Sequence, residues 1–138
     1  MTVVLVRHTE RDPSGSDALS AKGKKRAALL VQMFRESGVT AIFTSQFNRT
    51  KLTAAPLAQV LGITAKEIAS DLIAARAQIL AAGALPIVVG HSDTVPELIR
   101  ALGGPADIEI EETEFDHMFV VTIVSGTAST LAFRYVSA

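Results

Sequence analysis

The stretch Thr2-Val3-Val4-Leu5-Val6-Arg7-His8-Thr9-Glu10 decides the fold. Val3 to Val6 is an apolar, largely β-branched run with no helical period. Such a run reads as a short strand buried on both faces, the habit of a parallel sheet. It stops abruptly at Arg7-His8, and a polar loop carrying Asp12, Pro13, Ser14, Gly15, Ser16 and Asp17 follows. A buried strand that ends in a cation and an imidazole is the pattern to look for in the rest of the chain.

Working outward, Ser20 has the chemistry of a helix N-cap. The helix is expected over 21–37, with Ala27, Leu30, Val31 and Phe34 forming one buried stripe and Gly38 as the stop. Thr40 to Phe43 reads as the second strand, with Thr44-Ser45 at its carboxyl end. A second helix begins near Phe47 or Asn48 and ends at Gly62, with Pro56 expected to delay its start or kink it. A third helical pattern covers 70–82, with Leu72, Ile73, Ala75, Ile79 and Leu80 apolar, and Gly83 closes it. Pro86 to Gly90 is another buried strand, ending at His91. Asp93 or Thr94 caps a helix that places Pro96 in its first turn, and Gly103-Gly104-Pro105 terminates it. The acidic run Glu109, Glu111, Glu112, Glu114 and Asp116 reads as a solvated loop. Two final strands, 118–124 and 130–136, are joined around Ser125-Gly126 as an antiparallel pair. Strands alternating with helices mean an α/β fold. The expectation is one domain over 1–138 with a mostly parallel sheet and an antiparallel C-terminal edge hairpin.

The chain has 138 residues, of which 49% are hydrophobic, enough to bury a sizeable core and to argue against disorder. Its formal net charge of -1 offers no bulk positive field for nucleic acid or an acidic membrane surface. Any anion must therefore be held by a few placed arginines. With no cysteine, disulfides, thiolate nucleophiles and zinc-cysteine sites are excluded. The apolar start reaches Arg7 too soon for a signal peptide, and no run approaches the roughly 20 apolar residues of a membrane span. The reading is a cytoplasmic protein with neither nucleic-acid nor membrane partners.

Ligands of open α/β sheets bind beyond the carboxyl ends of the strands. Three strands here end in polar groups: the first in Arg7-His8, the second in Thr44-Ser45 with Arg49 just beyond, the third in Gly90-His91-Ser92. Two histidines and two arginines, far apart in sequence, are thus expected on one rim. That set suits phosphoryl transfer. A neutral imidazole is an available nucleophile near neutral pH and belongs to the side chains that form covalent intermediates. Forked, permanently charged guanidinium groups match the oxygens of a transferring phosphoryl group. Helix N-termini after Ser45 and Ser92 are expected to add backbone donors. No metal or other cofactor is required, because cationic side chains supply the charge. Arg49 at a helix start is unfavourably placed against the helix dipole unless an anion sits there. His117, in the acidic loop, reads as structural. The absence of a Gly-rich loop after the first strand argues against a nucleotide-binding domain.

Arg7-His8-Thr9-Glu10 after a buried strand resembles the RHG motif of the histidine phosphatase superfamily, the phosphoglycerate mutase-like family. The segment from Thr44 to Ala54 is similar to that family's second-arginine region, and Gly90-His91-Ser92 resembles its second-histidine motif. Asp17, Ser20 and Gly23 also fall where the family carries an aspartate, a Ser/Thr cap and a glycine. The resemblance implies a three-layer α/β/α fold and a phosphatase acting through a phosphohistidine on His8. Arg7, Arg49 and His91 would form the phosphate pocket, with Glu10 or Ser92 lining its edge. The substrate would be a phosphohistidine-bearing protein or a small phosphomonoester. Thr9 replaces the family's usual glycine, and the asparagine often found a few residues later is missing. Larger members carry a lid insertion that often supplies an acidic proton donor. Only the stretch 61–85 is available here, with Glu67 and Asp71 as candidate acids. The chain therefore resembles compact, lidless members typified by the bacterial phosphohistidine phosphatase SixA. The alternative reading is a phosphate-binding or regulatory module of the same fold that has lost turnover.

Overall fold

A computed structural model describes residues 1–136. Its elements in chain order are β1 (Thr2–Arg7), α1 (Ala21–Phe34), β2 (Ala41–Thr44), α2 (Asn48–Leu61), β3 (Lys66–Glu67), α3 (Leu72–Leu80), β4 (Pro86–Gly90), α4 (Thr94–Ala101), β5 (His117–Val124) and β6 (Thr127–Arg134). The strands form one sheet in the order β3-β2-β4-β1-β5-β6. β1 and β2 both pair parallel with β4, and β3 pairs parallel with β2. β5 runs antiparallel to β1, and β6 antiparallel to β5. This is the mostly parallel sheet with an antiparallel edge hairpin that the sequence pattern implies.

The β-branched run of β1 explains the layering. Val3 and Leu5 point to one face, into a core with Ala75 and Ile79 of α3 and Val95, Leu98 and Ile99 of α4. Val4 and Val6 point to the other, against Leu30 of α1 and Ala54 and Leu57 of α2. Period-2 alternation between two buried faces gives three layers, with α1 and α2 on one side and α3 and α4 on the other. Each fully buried aliphatic side chain contributes about 1.5–3 kcal/mol relative to exposure.

The helix boundaries follow local chemistry. Ser20 Oγ accepts from the Gly23 amide, capping α1 as its position suggests. The helix stops at Phe34, short of 37, because the Ser37 amide and hydroxyl both donate to the Phe34 carbonyl and tighten the chain before Gly38. α2 starts at Asn48 without delay and carries Pro56 inside. α3 is shorter than the apolar pattern suggests, because Asp71 caps it and the Ala82 amide closes back on Ile79. Ala75 and Ile79 are buried on it, whereas Ile73 is 81% exposed. β6 begins at Thr127, earlier than expected, because Ser125 and Gly126 both take positive φ (50° and 77°). Such a two-residue turn lets pairing resume at once, with Val124 opposite Thr127. β3 has no signal of its own in the sequence. It is a two-residue edge strand added to β2.

Gly23 is required where the loop after β1 crosses α1. A Cβ there would lie 2.2 Å from the Glu10 carbonyl oxygen, a backbone atom that cannot swing away. Helix propensity alone favours alanine over glycine by about 1 kcal/mol. The clash reverses that sign, since overpacking costs about 1–3 kcal/mol. Gly23→Ala is expected to lower the denaturation midpoint, and a midpoint equal to or above wild type would contradict the close approach.

Candidate active site

The register of the central strands sets the site. Arg7 lies opposite Gly90 and Thr44 opposite Val89, so β1, β4 and β2 end on one edge. The residues just beyond them, His8, His91 and Ser45, are brought together there. The His8 and His91 rings lie 5.4 Å apart, edge to face, and Phe115 packs against His8 in a similar geometry at 5.8 Å. A cleft above them is bordered by Arg7, His8, Arg49, His91 and Ser92, the rim that the strand-end pattern implies, together with Arg11, Phe47, Asp93 and Glu112.

His8 is 3% exposed, and its Nδ1 lies 2.8 Å from the Thr9 carbonyl oxygen. A carbonyl only accepts, so Nδ1 carries the proton and Nε2 keeps its lone pair. Burial pushes the ring's pKa down to about 4. The Thr9 carbonyl opposes the shift, while Arg7, His91 and Arg49 add to it. His91 is lowered too, first by burial and then by Arg49. Both rings are therefore neutral at physiological pH, and the positive charge of the rim belongs to the arginines.

Arg7 is 5% exposed. Its Nη1 donates to the carbonyls of Glu111, Glu112 and Glu114 at 3.1, 3.0 and 2.7 Å, and its guanidinium lies 4.0 Å over the Phe115 ring. One corner of the fork is thus clamped, while Nε is buried and has no protein partner. Arg49 shows the same pattern. Its Nη1 pairs with Asp17 Oδ1 at 2.9 Å, its guanidinium covers Phe47, and its Nε is buried and unpartnered. An unpaired buried donor is costly unless a ligand satisfies it. Both arginines border one cleft, and each keeps a buried donor of the kind an anion satisfies.

The supporting residues form connected networks. Thr9 Oγ1 and the Thr9 amide both meet Thr53 Oγ1, which donates to the Arg49 carbonyl. Threonine in place of the usual glycine therefore ties the His8 loop to α2. His91 Nε2 lies 2.8 Å from Ser45 Oγ, which also meets Thr50 Oγ1. Gly90 is tightly packed, since a Cβ there would lie 2.9 Å from Thr94 Oγ1.

Several expectations are corrected. Glu10 does not reach the cleft, because its carboxylate is held by Arg26 through contacts of 2.8–3.3 Å. Of the two proposed edge residues, Ser92 borders the cleft and Glu10 does not. Glu67 pairs with Lys51, and Asp71 caps α3, so neither candidate acid borders the cleft. The α2 N-terminus is not free for a ligand either. Asp17 accepts from the Asn48 and Arg49 amides and supplies, from within the protein, the anion that Arg49's position demands. Desolvation alone would raise the Asp17 pKa, but Arg49 and the Asn48 amide outweigh it and hold the carboxylate below its usual range. At α4 the Thr94 amide is taken by Asp93. The acidic loop is more than solvated surface, for its carbonyls position Arg7, and Glu112 Oε2 stands 3.8 Å from Arg7 Nη2. No local pattern in the sequence marks Arg11, Phe47, Asp93 or Glu112 as rim residues. The chain reversal closed by the Arg11–Leu19 bridge carries Asp17 to α2 and leaves Arg11 at the rim.

Residues 3–74 match the model of the histidine phosphatase superfamily (branch 1), so the chain belongs to that superfamily. The match includes Arg7, His8 and Arg49 and stops before His91. No curated protein matches the sequence. Solved structures share the fold. A putative phosphohistidine phosphatase SixA from Nakamurella multipartitia is 20% identical, with 99% of this chain and 96% of that one covered at a TM-score of 0.65. An alpha-ribazole phosphatase from Shigella flexneri is 14% identical, with coverage of 98% and 96% and a TM-score of 0.71. A mycobacterial glucosyl-3-phosphoglycerate phosphatase in complex with VO3 is 15% identical, with coverage of 96% and 98% and a TM-score of 0.74. Superfamily membership supports a phosphatase.

The His8 environment has a sign that can be checked. A folded-state pKa near 4, against the ordinary 6.5, means that the folded protein binds fewer protons than the unfolded chain between those values. The contribution of His8 to stability is therefore lost as pH falls from 6.5 toward 4. An NMR titration of the His8 ring is expected to show a midpoint near 4, and a midpoint near 6.5 would contradict the buried, neutral ring.

Proposed function

We propose that the protein is a metal-independent phosphatase that works through a phosphohistidine on His8, with a phosphohistidine-bearing protein or a small phosphomonoester as substrate. The observation that carries this reading is the His8 ring, buried and fixed by the Thr9 carbonyl in the tautomer that leaves Nε2 unprotonated. Beside it stand two arginines, each with a buried Nε that lacks a protein partner.

In the first step the Nε2 lone pair attacks phosphorus, forming the N–P bond as the bond to the leaving atom breaks. The leaving atom takes a proton from water, which the open cleft admits. Arg7 and Arg49 neutralise charge on the phosphoryl oxygens, and their donors are already oriented, so little reorganisation is required. The neutral His91 donates a hydrogen bond to a further oxygen, and Ser45 orients its ring. In the second step water attacks phosphorus, the N–P bond breaks, and inorganic phosphate leaves with His8 neutral again. Glu111, Glu112 and Glu114 act through their backbone carbonyls, holding the Arg7 guanidinium at the border of the cleft.

No helix in the described residues is long and apolar enough to cross a membrane, and we take the cytoplasm as the site of action. The test is hydrolysis of an aryl phosphate with EDTA present and no added metal, comparing wild type with His8→Ala. Activity in wild type, with loss of at least about 1,000-fold in the variant, is expected for removal of a covalent nucleophile. Equal rates in the two proteins would remove His8 from that role.

A further inference from the structure

Adjoining the cleft at His91 is a second cavity of about 200 Å³. It shares Phe47, His91 and Thr94 with the cleft that holds the arginines. The Phe47 and His91 rings, 5.3 Å apart and perpendicular, border both. Away from these shared residues the lining is mostly apolar, with Ile68, Ala69, Leu72, Val89 and Leu98. Its one acidic residue is Glu97, an exposed side chain of α4, and no lysine or arginine among the described residues lines it.

The two compartments differ in chemistry. One carries guanidinium groups with free donors, while the other is apolar with a single negative charge. A phosphate ester is divided in the same way, into an anionic phosphoryl group and the group it leaves behind. We propose that this second cavity receives the leaving group, and that it selects a neutral, apolar or aromatic one over an anionic one. The proposal rests on the phosphatase reading of the adjoining cleft and assigns its substrate class. Size supports it, since an apolar cavity of roughly 150 Å³ is enough to take up benzene. This cavity therefore holds one ring or a branched aliphatic group. Charge supports it as well. A carboxylate on the leaving group would enter an apolar space beside Glu97 without a cation to meet it, which is unfavourable both by desolvation and by like-charge repulsion.

The test measures binding, so that it does not depend on turnover. Calorimetry would compare phenylphosphonate with methylphosphonate on wild type, on Ala69→Phe and on Glu97→Lys. Ala69 and Glu97 border the cavity but not the arginine cleft. Wild type is expected to bind phenylphosphonate at least about tenfold more tightly, the scale of burying one ring. Ala69→Phe fills the cavity and should abolish that preference while leaving methylphosphonate affinity within about twofold of wild type. Ser70→Phe, at an exposed position on the same lining, serves if Ala69→Phe does not fold. Glu97→Lys should strengthen competition by 3-phosphoglycerate relative to phenylphosphonate by about fivefold or more. Equal affinity of wild type for the two phosphonates, or a preference that survives filling the cavity, would overturn the proposal. Acetyl phosphate hydrolysis by wild type, measured alongside, tests the phosphatase reading separately: its absence would count against turnover, while the phosphonate preference would still decide the cavity.

Discussion

Parallel pairing of β1 with β4, and of β4 with β2, is the constraint on which the site depends. It aligns Arg7 with Gly90 and Val89 with Thr44, so that each chain leaves the sheet at the same edge. A slip of one residue in β1 would turn Val4 and Val6 toward the wrong core and carry His8 away from His91. The register is enforced by the two apolar clusters that the alternate residues of β1 enter. Core packing and site geometry are thus one requirement, met by a run of residues that would otherwise seem merely hydrophobic.

The charges of the rim are held by neighbours from distant parts of the chain. Arg7 depends on carbonyls of the loop before β5, and Arg49 on Asp17 from the loop after β1. In each case one part of the guanidinium is fixed and Nε is left without a partner. Holding a cation by one corner limits the rotamer freedom that would otherwise be lost on binding an anion. The histidines contribute no charge, because burial keeps both neutral. In the proposed mechanism, nucleophile and electrostatic clamp are therefore separated between residue types.

The legible part of this structure is what one segment of sequence can specify. Val3 to Val6, Pro86 to Gly90 and the capping residues Ser20 and Asp93 mark their elements by local composition, and they carry the fold class and the strand-end residues Arg7, His8 and His91 with them. Contacts that need a distant partner were not legible. Glu10 sits three positions after Arg7, yet Arg26 takes its carboxylate. Glu112 belongs to a run that reads as solvated, yet its carbonyl meets a buried arginine. β3 is too short to have a period, and its position follows from β2. The apolar residues of α3 overstate its burial, because Ile73 faces away from the sheet. The apolar cavity beside His91 is assembled from three separate stretches, around 45–47, 68–75 and 88–98, and no one of them announces it.

The central claim is that His8 carries the phosphoryl group between two chemical steps. Its most direct test is rapid acid-free quenching during turnover of a phosphate ester, followed by mass spectrometry of the peptide that contains His8. The account predicts one added phosphoryl group on that peptide, stable in alkali and lost in acid, and none in His8→Ala. Steady turnover by wild type with no phosphorylated peptide, or a phosphoryl group on another residue, would contradict it.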